Sequence, residues 1–231
     1  MTNKTNSLTA VDESLIRYVE RNILPMYANF DTAHRVGHAQ MVIAKSLELA
    51  ETINRSPRYA EPDGTKTTVD ADMVYAIASY HDTGLTEGRE THHTASALFV
   101  HNDSHLRQWF TPEQIDIIAD AVEDHRASSK AEPRTIYGKI VAEADRSIDP
   151  MDIIRRTVQY GLSHYPGLDK DGHYKRTVEH LLEKYAEGGY LKLWIPESDN
   201  GRKLQELRDI IRDKERLDQA FGLIWDEECE K

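Results

Sequence analysis

Cysteine is almost missing from this chain. Its 231 residues include one, Cys229, so no disulfide can form within it. Long apolar runs are missing too: none approaches the roughly 20 residues that span a bilayer, which excludes a membrane-spanning helix and leaves no reason to expect a membrane partner. The polar opening MTNKTNSLTAVDES lacks the apolar middle of a signal peptide. With the lone cysteine, it makes the cytoplasm the expected location. Positive charge is in deficit, 29 Lys and Arg against 40 Asp and Glu, for a net −11 with histidines neutral. Non-specific nucleic-acid binding needs a basic surface, so no nucleic-acid partner is expected. A small anionic substrate stays open, because a site is set by local charge. Finally, no set of segments alternates with period two as strands do.

What is present is helical periodicity, and the expected class is all-α. DESLIRYVERNIL sets Leu15, Ile16, Val19, Ile23 and Leu24 on one stripe, ended or kinked by Pro25. RVGHAQMVIAKSLELAETI turns Val42, Ile43, Leu47, Ala50 and Ile53 inward, and the prolines and Asp-Gly of SPRYAEPDGTKTT mark a loop. VDADMVYAIASYHD is a third helix with Gly84 placed to stop it, and HHTASALFVHNDSHLRQWF a fourth. The fifth opens on a capping pattern, Thr111, Pro112 and Gln114. TIYGKIVAEADRSI, PMDIIRRTVQYGLSH and KRTVEHLLEKYAEGG follow; YLKLWIP is short and extended, and RKLQELRDIIRDKERLDQAFGLIW reads as one last amphipathic helix. Tyr137, Trp194 and Trp225 are expected to pack. EKYAEGGYLKLWIPES has no assigned mechanism; closing over a site and forming a subunit contact are its two candidate roles.

Ligand-type side chains recur at the ends and faces of these helices. His34 and His38 stand four apart, His81–Asp82 ends the third helix, and His125 extends the apolar stripe of Ile115, Ile118 and Val122. Asp145 lies between Val141 and Ile148 on a core-facing stripe, where an unpaired carboxylate costs several kcal/mol or more. Each alone has an ordinary explanation as a salt-bridged, capping or hydrogen-bonded residue. Together, on separate helices, they point to a shared cation. Arg126, Lys130, Arg134, Lys139 and Arg146 gather around the stretch between His125 and Asp145 despite the acidic whole. A guanidinium there can grip phosphate through two hydrogen bonds, and Arg126, next to His125, is the best placed.

The ordered segments DTAHRVGHAQMV, ASYHDTG, RETHHTASAL, AVEDHRASS and VAEADRSID resemble the HD superfamily of metal-dependent phosphohydrolases, in its compact single-domain branch. The resemblance covers about residues 31–149. It implies an all-α HD-domain bundle within a single domain over 1–231, with additional C-terminal helices over about 150–231. It makes His38, His81, Asp82 and Asp145 the metal ligands, with His34 competing for the first position. His92 or His93, together with His125 and Arg146, fall where a second metal or a phosphate binds. Two imidazoles and two carboxylates form a mixed shell that suits Mn²⁺, Fe²⁺, Co²⁺, Ni²⁺ or Mg²⁺ better than a closed thiolate zinc site. Such an ion acidifies water and polarises a phosphoryl group, with Asp82 orienting the attack and Arg126 holding the substrate. The implied substrate is a small phosphorylated compound, a nucleotide being the expected kind. Two other readings are kept. One is a di-iron HD-fold oxygenase, for which a stoichiometry of two metals would speak; the other is a non-catalytic ligand-binding HD domain. A homodimer is open to it.

Overall fold

The computed structural model describes residues 11–30, 35–59, 68–127 and 131–230; His34, Lys130 and residues 60–67 of the expected loop lie outside the described residues. Among these, the regular elements are ten α-helices and short 3-10 turns, with no strand. The helices are α1 (Glu13–Asn22), α2 (Val36–Arg55), α3 (Ala71–Tyr80), α4 (His92–Asn102), α5 (Pro112–Asp124), α6 (Ile136–Asp145), α7 (Pro150–His164), α8 (Lys170–Tyr185), α9 (Asn200–Arg212) and α10 (Lys214–Cys229). The expected all-α class is what the chain adopts. The contacts group into two compact units, Met1–Asp145 with Trp194–Glu197, and Arg146–Leu193 with Ser198–Lys231.

In the first unit α3 is the central element. Its sequence ADMVYAIASY is apolar on every side, and each of its side chains except Asp72 is buried. A helix apolar all round must be surrounded, and α2, α5 and α6 pack against this one. Its start is fixed by Asp70, whose carboxylate accepts from the amides of Asp72 at 2.8 Å and Met73 at 3.4 Å. Its end therefore delivers His81 and Asp82 into the core. The capping box of α5 forms as its sequence predicts: Thr111 accepts from the Gln114 amide, and the Gln114 side chain accepts from the Thr111 amide. The stripe Ile115, Ile118, Val122 is buried and runs on to His125, 2% exposed.

The middle of the unassigned segment joins this unit. Ile195 is buried among Ala50, Ile53, Val69, Val74 and Ile140. The Trp194 amide donates to the buried Glu143 carboxylate at 2.7 Å, and the Tyr59 hydroxyl to Glu197 at 2.8 Å. YLKLWIP, expected to be short and extended, forms no strand, and there is none among the described residues.

In the second unit α7 begins at Pro150 behind an Asp149 cap. Its core is built from Ile154, Val158, Leu181, Leu207, Phe221 and Ile224. Trp225 packs there as expected, stacked on Phe221 with ring centres 5.8 Å apart.

Two predicted helices are broken in two, each at an aspartate. The single C-terminal helix is α9 and α10, separated at Asp213. This residue leaves the helical region (φ −96°, ψ 102°), and its carboxylate accepts from the amides of Glu215 and Arg216. The fourth helix ends at Asn102, and a 3-10 turn, Ser104–Gln108, follows. There Asp103 takes the hydroxyls of Tyr18 at 2.5 Å and of Tyr80, with the His105 amide at 3.0 Å. In both cases a side chain that satisfies free amides competes with helix continuation, which periodicity does not register.

Candidate metal centre

His81 caps the end of α3 with no exposed surface, and its Nδ1 meets the Ala78 carbonyl at 2.8 Å. A carbonyl only accepts, so Nδ1 carries a hydrogen and Nε2 is the nitrogen left to face the centre, a lone pair once its proton is lost. Asp82 follows with φ −109° and ψ 6°, at the mouth of the 3-10 turn Thr83–Glu87. The amide of Asp82 donates to the Tyr27 hydroxyl at 3.2 Å, and that hydroxyl donates to the Ser79 carbonyl at 2.9 Å. Tyr27, fully buried, thus holds the His-Asp turn from below. Nothing in its spacing marks it, since a core tyrosine at that position has the same pattern.

The two carboxylate oxygens of Asp82 face two different sets of imidazoles. Oδ2 lies 3.2 Å from His81 Nε2 and 3.6 Å from His38 Nε2. Asp145, from the end of α6, adds Oδ1 at 3.1 Å from His38 Nε2 and 3.9 Å from His81 Nε2. On the other side, Oδ1 of Asp82 lies 3.5 Å from His92 Nε2 and 3.4 Å from His125 Nε2. The Nε2 atoms within each set are close: 3.3 Å for His38 and His81, 3.1 Å for His92 and His125.

These spacings test whether a cation fits. Ligands about 2.1 Å from an ion stand roughly 3.0 Å apart in an octahedron and 3.4 Å in a tetrahedron. Both sets fall in or near that range. His92 and His125 give the sharper evidence. Each Nδ1 meets a carbonyl, Arg89 at 2.8 Å and Val122 at 2.5 Å, so Nδ1 carries a hydrogen in both rings and the neutral form of each would aim an Nε2 lone pair at the other. Two facing lone pairs repel unless a positive charge lies between them. Two groups have donors mutually close enough for one cation, His38, His81 and Asp82 at the first set and Asp82, His92 and His125 at the second; Asp145 borders the first through His38 at 3.1 Å.

Electrostatics agree. Burial alone would pull the His81 ring down, but Asp82 and Asp145 outweigh it and push it up to about 9. Burial works to raise Asp82, yet His81 and His125 hold its carboxyl well below the usual range. Asp145 is held at about 2, burial being overcome by the His38 hydrogen bond and the charge of His81. His92 is pulled down, first by burial and then by His125.

The choice between the adjacent histidines is made by α4. It turns His92 to the second set, while His93 points elsewhere, its buried Nδ1 without a hydrogen-bond partner among the described residues. Of the basic residues, Arg134 is spent on structure, bound to Asp120 at 2.7 Å, Glu123 at 2.5 Å and Asp124 at 2.9 Å. Lys139 pairs with Glu132 at 2.5 Å. A guanidinium between three carboxylates is not available to a substrate. Arg126 donates Nη1 to the Glu90 carbonyl at 2.5 Å and remains partly exposed. Arg146 opens the second unit and is buried. His34 and Lys130 lie outside the described residues.

Residues 35–148 match the family described as HD domain. His38, His81, Asp82, His92, His125 and Asp145 all fall within that match. No curated protein and no solved structure matches the chain.

Proposed function

The chain belongs to the HD superfamily, and on that premise we propose that it is a metal-dependent phosphohydrolase acting on a small phosphorylated compound. The observation that supports this reading is the placement of Asp82, one carboxylate oxygen toward His38 and His81, the other toward His92 and His125. When bound, divalent cations supply an acidified water and a Lewis acid for the phosphoryl oxygens. The protein's own residues do the rest. Backbone carbonyls of Ala78, Arg89 and Val122 fix three imidazoles in the tautomer that leaves Nε2 to the centre. Asp82, held ionised, joins the two sets and orients the incoming water. Arg126, tethered at one nitrogen, turns its remaining N–H groups to a substrate phosphate. In a chain of net charge −11, this local positive charge is what admits an anion.

The same geometry favours one other reading. Two adjacent nitrogen- and oxygen-rich sets also suit a pair of irons that activate oxygen. Since both readings use two cations, counting metals no longer separates them. Protein loaded in turn with Mn²⁺, Ni²⁺, Co²⁺, Mg²⁺ and Fe²⁺ would be screened against phosphorylated metabolites, measuring phosphate release and oxygen consumption. Metal-dependent phosphate release without oxygen uptake is the expected result. Oxygen uptake with no phosphate release under any metal would replace the hydrolase with the oxygenase.

A further inference from the structure

The glycine of ASYHDTG and the serine of HHTASAL touch, and the contact lies directly beneath the second set of ligands. Gly84 donates its amide to Ser96 Oγ at 2.8 Å, and both residues are buried. The sequence places Gly84 to stop α3, a place where glycine often takes a left-handed conformation. Gly84 does not take one: among the described residues only Gly88 and Gly188 have positive φ. Gly84 is needed for space. A Cβ there would stand 2.3 Å from the His92 carbonyl oxygen, 2.5 Å from the Ser96 amide nitrogen and 2.7 Å from Ala95 Cβ. Two of those three atoms are backbone, so no side chain can rotate aside to relieve the overlap.

The turn after Asp82 is therefore pressed onto the first turn of α4, and α4 is the helix that carries His92. We propose that the Gly84–Ser96 contact is a positioning device for the second cation: it seats α4 so that His92 reaches Asp82 and His125. This rests on the two-cation reading above. The first set is built from α2, α6 and the end of α3, and α4 supplies none of its ligands. Relieving the overlap of any side chain at position 84 requires the turn and α4 to part by about 1 Å. Metal–ligand distances in well-formed sites hold within about 0.2 Å of their standard values. With the Asp82 end of the turn held by α3 and by Tyr27, bulk at position 84 is expected to displace His92 far more than the first set.

The test counts Mn²⁺ per chain and measures each site's affinity by calorimetry, with the folded state checked by circular dichroism. Wild type is expected to take two ions. Gly84→Ala is expected to take one, with first-site affinity within threefold of wild type and second-site affinity weakened 100-fold or more. Ser96→Ala adds no bulk, so it folds even if Gly84→Ala does not; it is expected to weaken the second site alone, by three- to tenfold. Wild-type affinity at both sites in both variants would overturn the proposal, as would equal weakening at the two sites in a folded variant. A wild-type protein that takes one ion would overturn the two-cation reading itself, a result the variants cannot mimic.

Discussion

The Nε2 atoms of His92 and His125 stand 3.1 Å apart, and each ring's other nitrogen is already committed to a main-chain carbonyl. Neutral, they can only repel; with a cation between them, they are two ligands. His125→Ala removes one donor from the second set and none from the first. Mn²⁺ content is expected to fall from two ions to one, and phosphate release by about 100-fold or more, since a charge facing the transition state is lost. Metal analysis and a phosphate assay on the purified variant check both.

Acid should displace the metal. His81 is pushed up to about 9 from an ordinary 6.5, so without metal it is protonated at neutral pH, and a cation must expel that proton. Apparent affinity is expected to rise with pH by up to about tenfold per unit until near pH 9, then level off. For the metal-free fold the sign is opposite. A raised histidine contributes stability that is fully present below 6.5 and is lost as pH rises through about 9. Asp145, lowered to about 2 from 3.8, contributes stability present above 3.8 and lost as pH falls through about 2. Calorimetric titration in two buffers of different ionisation enthalpy measures the proton release directly.

Tyr27 has no place in the ligand set, yet its hydroxyl joins the Ser79 carbonyl to the Asp82 amide. Tyr27→Phe leaves that buried amide without its acceptor, at a cost of about 1–3 kcal/mol. Because the turn it holds presents Asp82 to both sets, metal affinity is expected to fall about 10- to 100-fold at each. A selective loss at one set would contradict this role.

How much of this was legible beforehand depended on whether the signal was local. The capping box at Thr111, the proline that opens α7 and the apolar stripe leading to His125 are written in neighbouring residues, and the structure shows all three. His125 and Asp145 stood out because polar residues on core-facing stripes demand partners; His38, His81, Asp82 and Asp145 as one set came from the resemblance to the HD superfamily, and only the fold shows how close they stand. The rest was decided by contacts distant in sequence. Adjacent His92 and His93 are equivalent until the seat of α4 is known. Arg134 looks free for phosphate until α5 is seen to surround it with carboxylates. The breaks at Asp103 and Asp213 follow from side-chain capping, which a continuing apolar stripe conceals.

Asp103 offers a check on the scaffold apart from the metal. It accepts the hydroxyls of Tyr18 and Tyr80, and these bonds, with those from His105, hold its carboxyl low against the effect of burial. Its stabilising effect is present above the ordinary carboxylate value and is lost as pH falls through the lowered one. Asp103→Asn is expected to cost about 1–3 kcal/mol in denaturant unfolding while the Mn²⁺ count stays unchanged. A changed count with unchanged stability would show that this cluster belongs to the centre.

The most direct test of the shared carboxylate is an anomalous difference map from crystals of the wild-type protein grown with Mn²⁺. Two manganese peaks are predicted, one against each oxygen of Asp82, with His38, His81 and Asp145 around the first and His92 and His125 around the second. A single peak, or peaks that leave Asp82 untouched, would contradict the account.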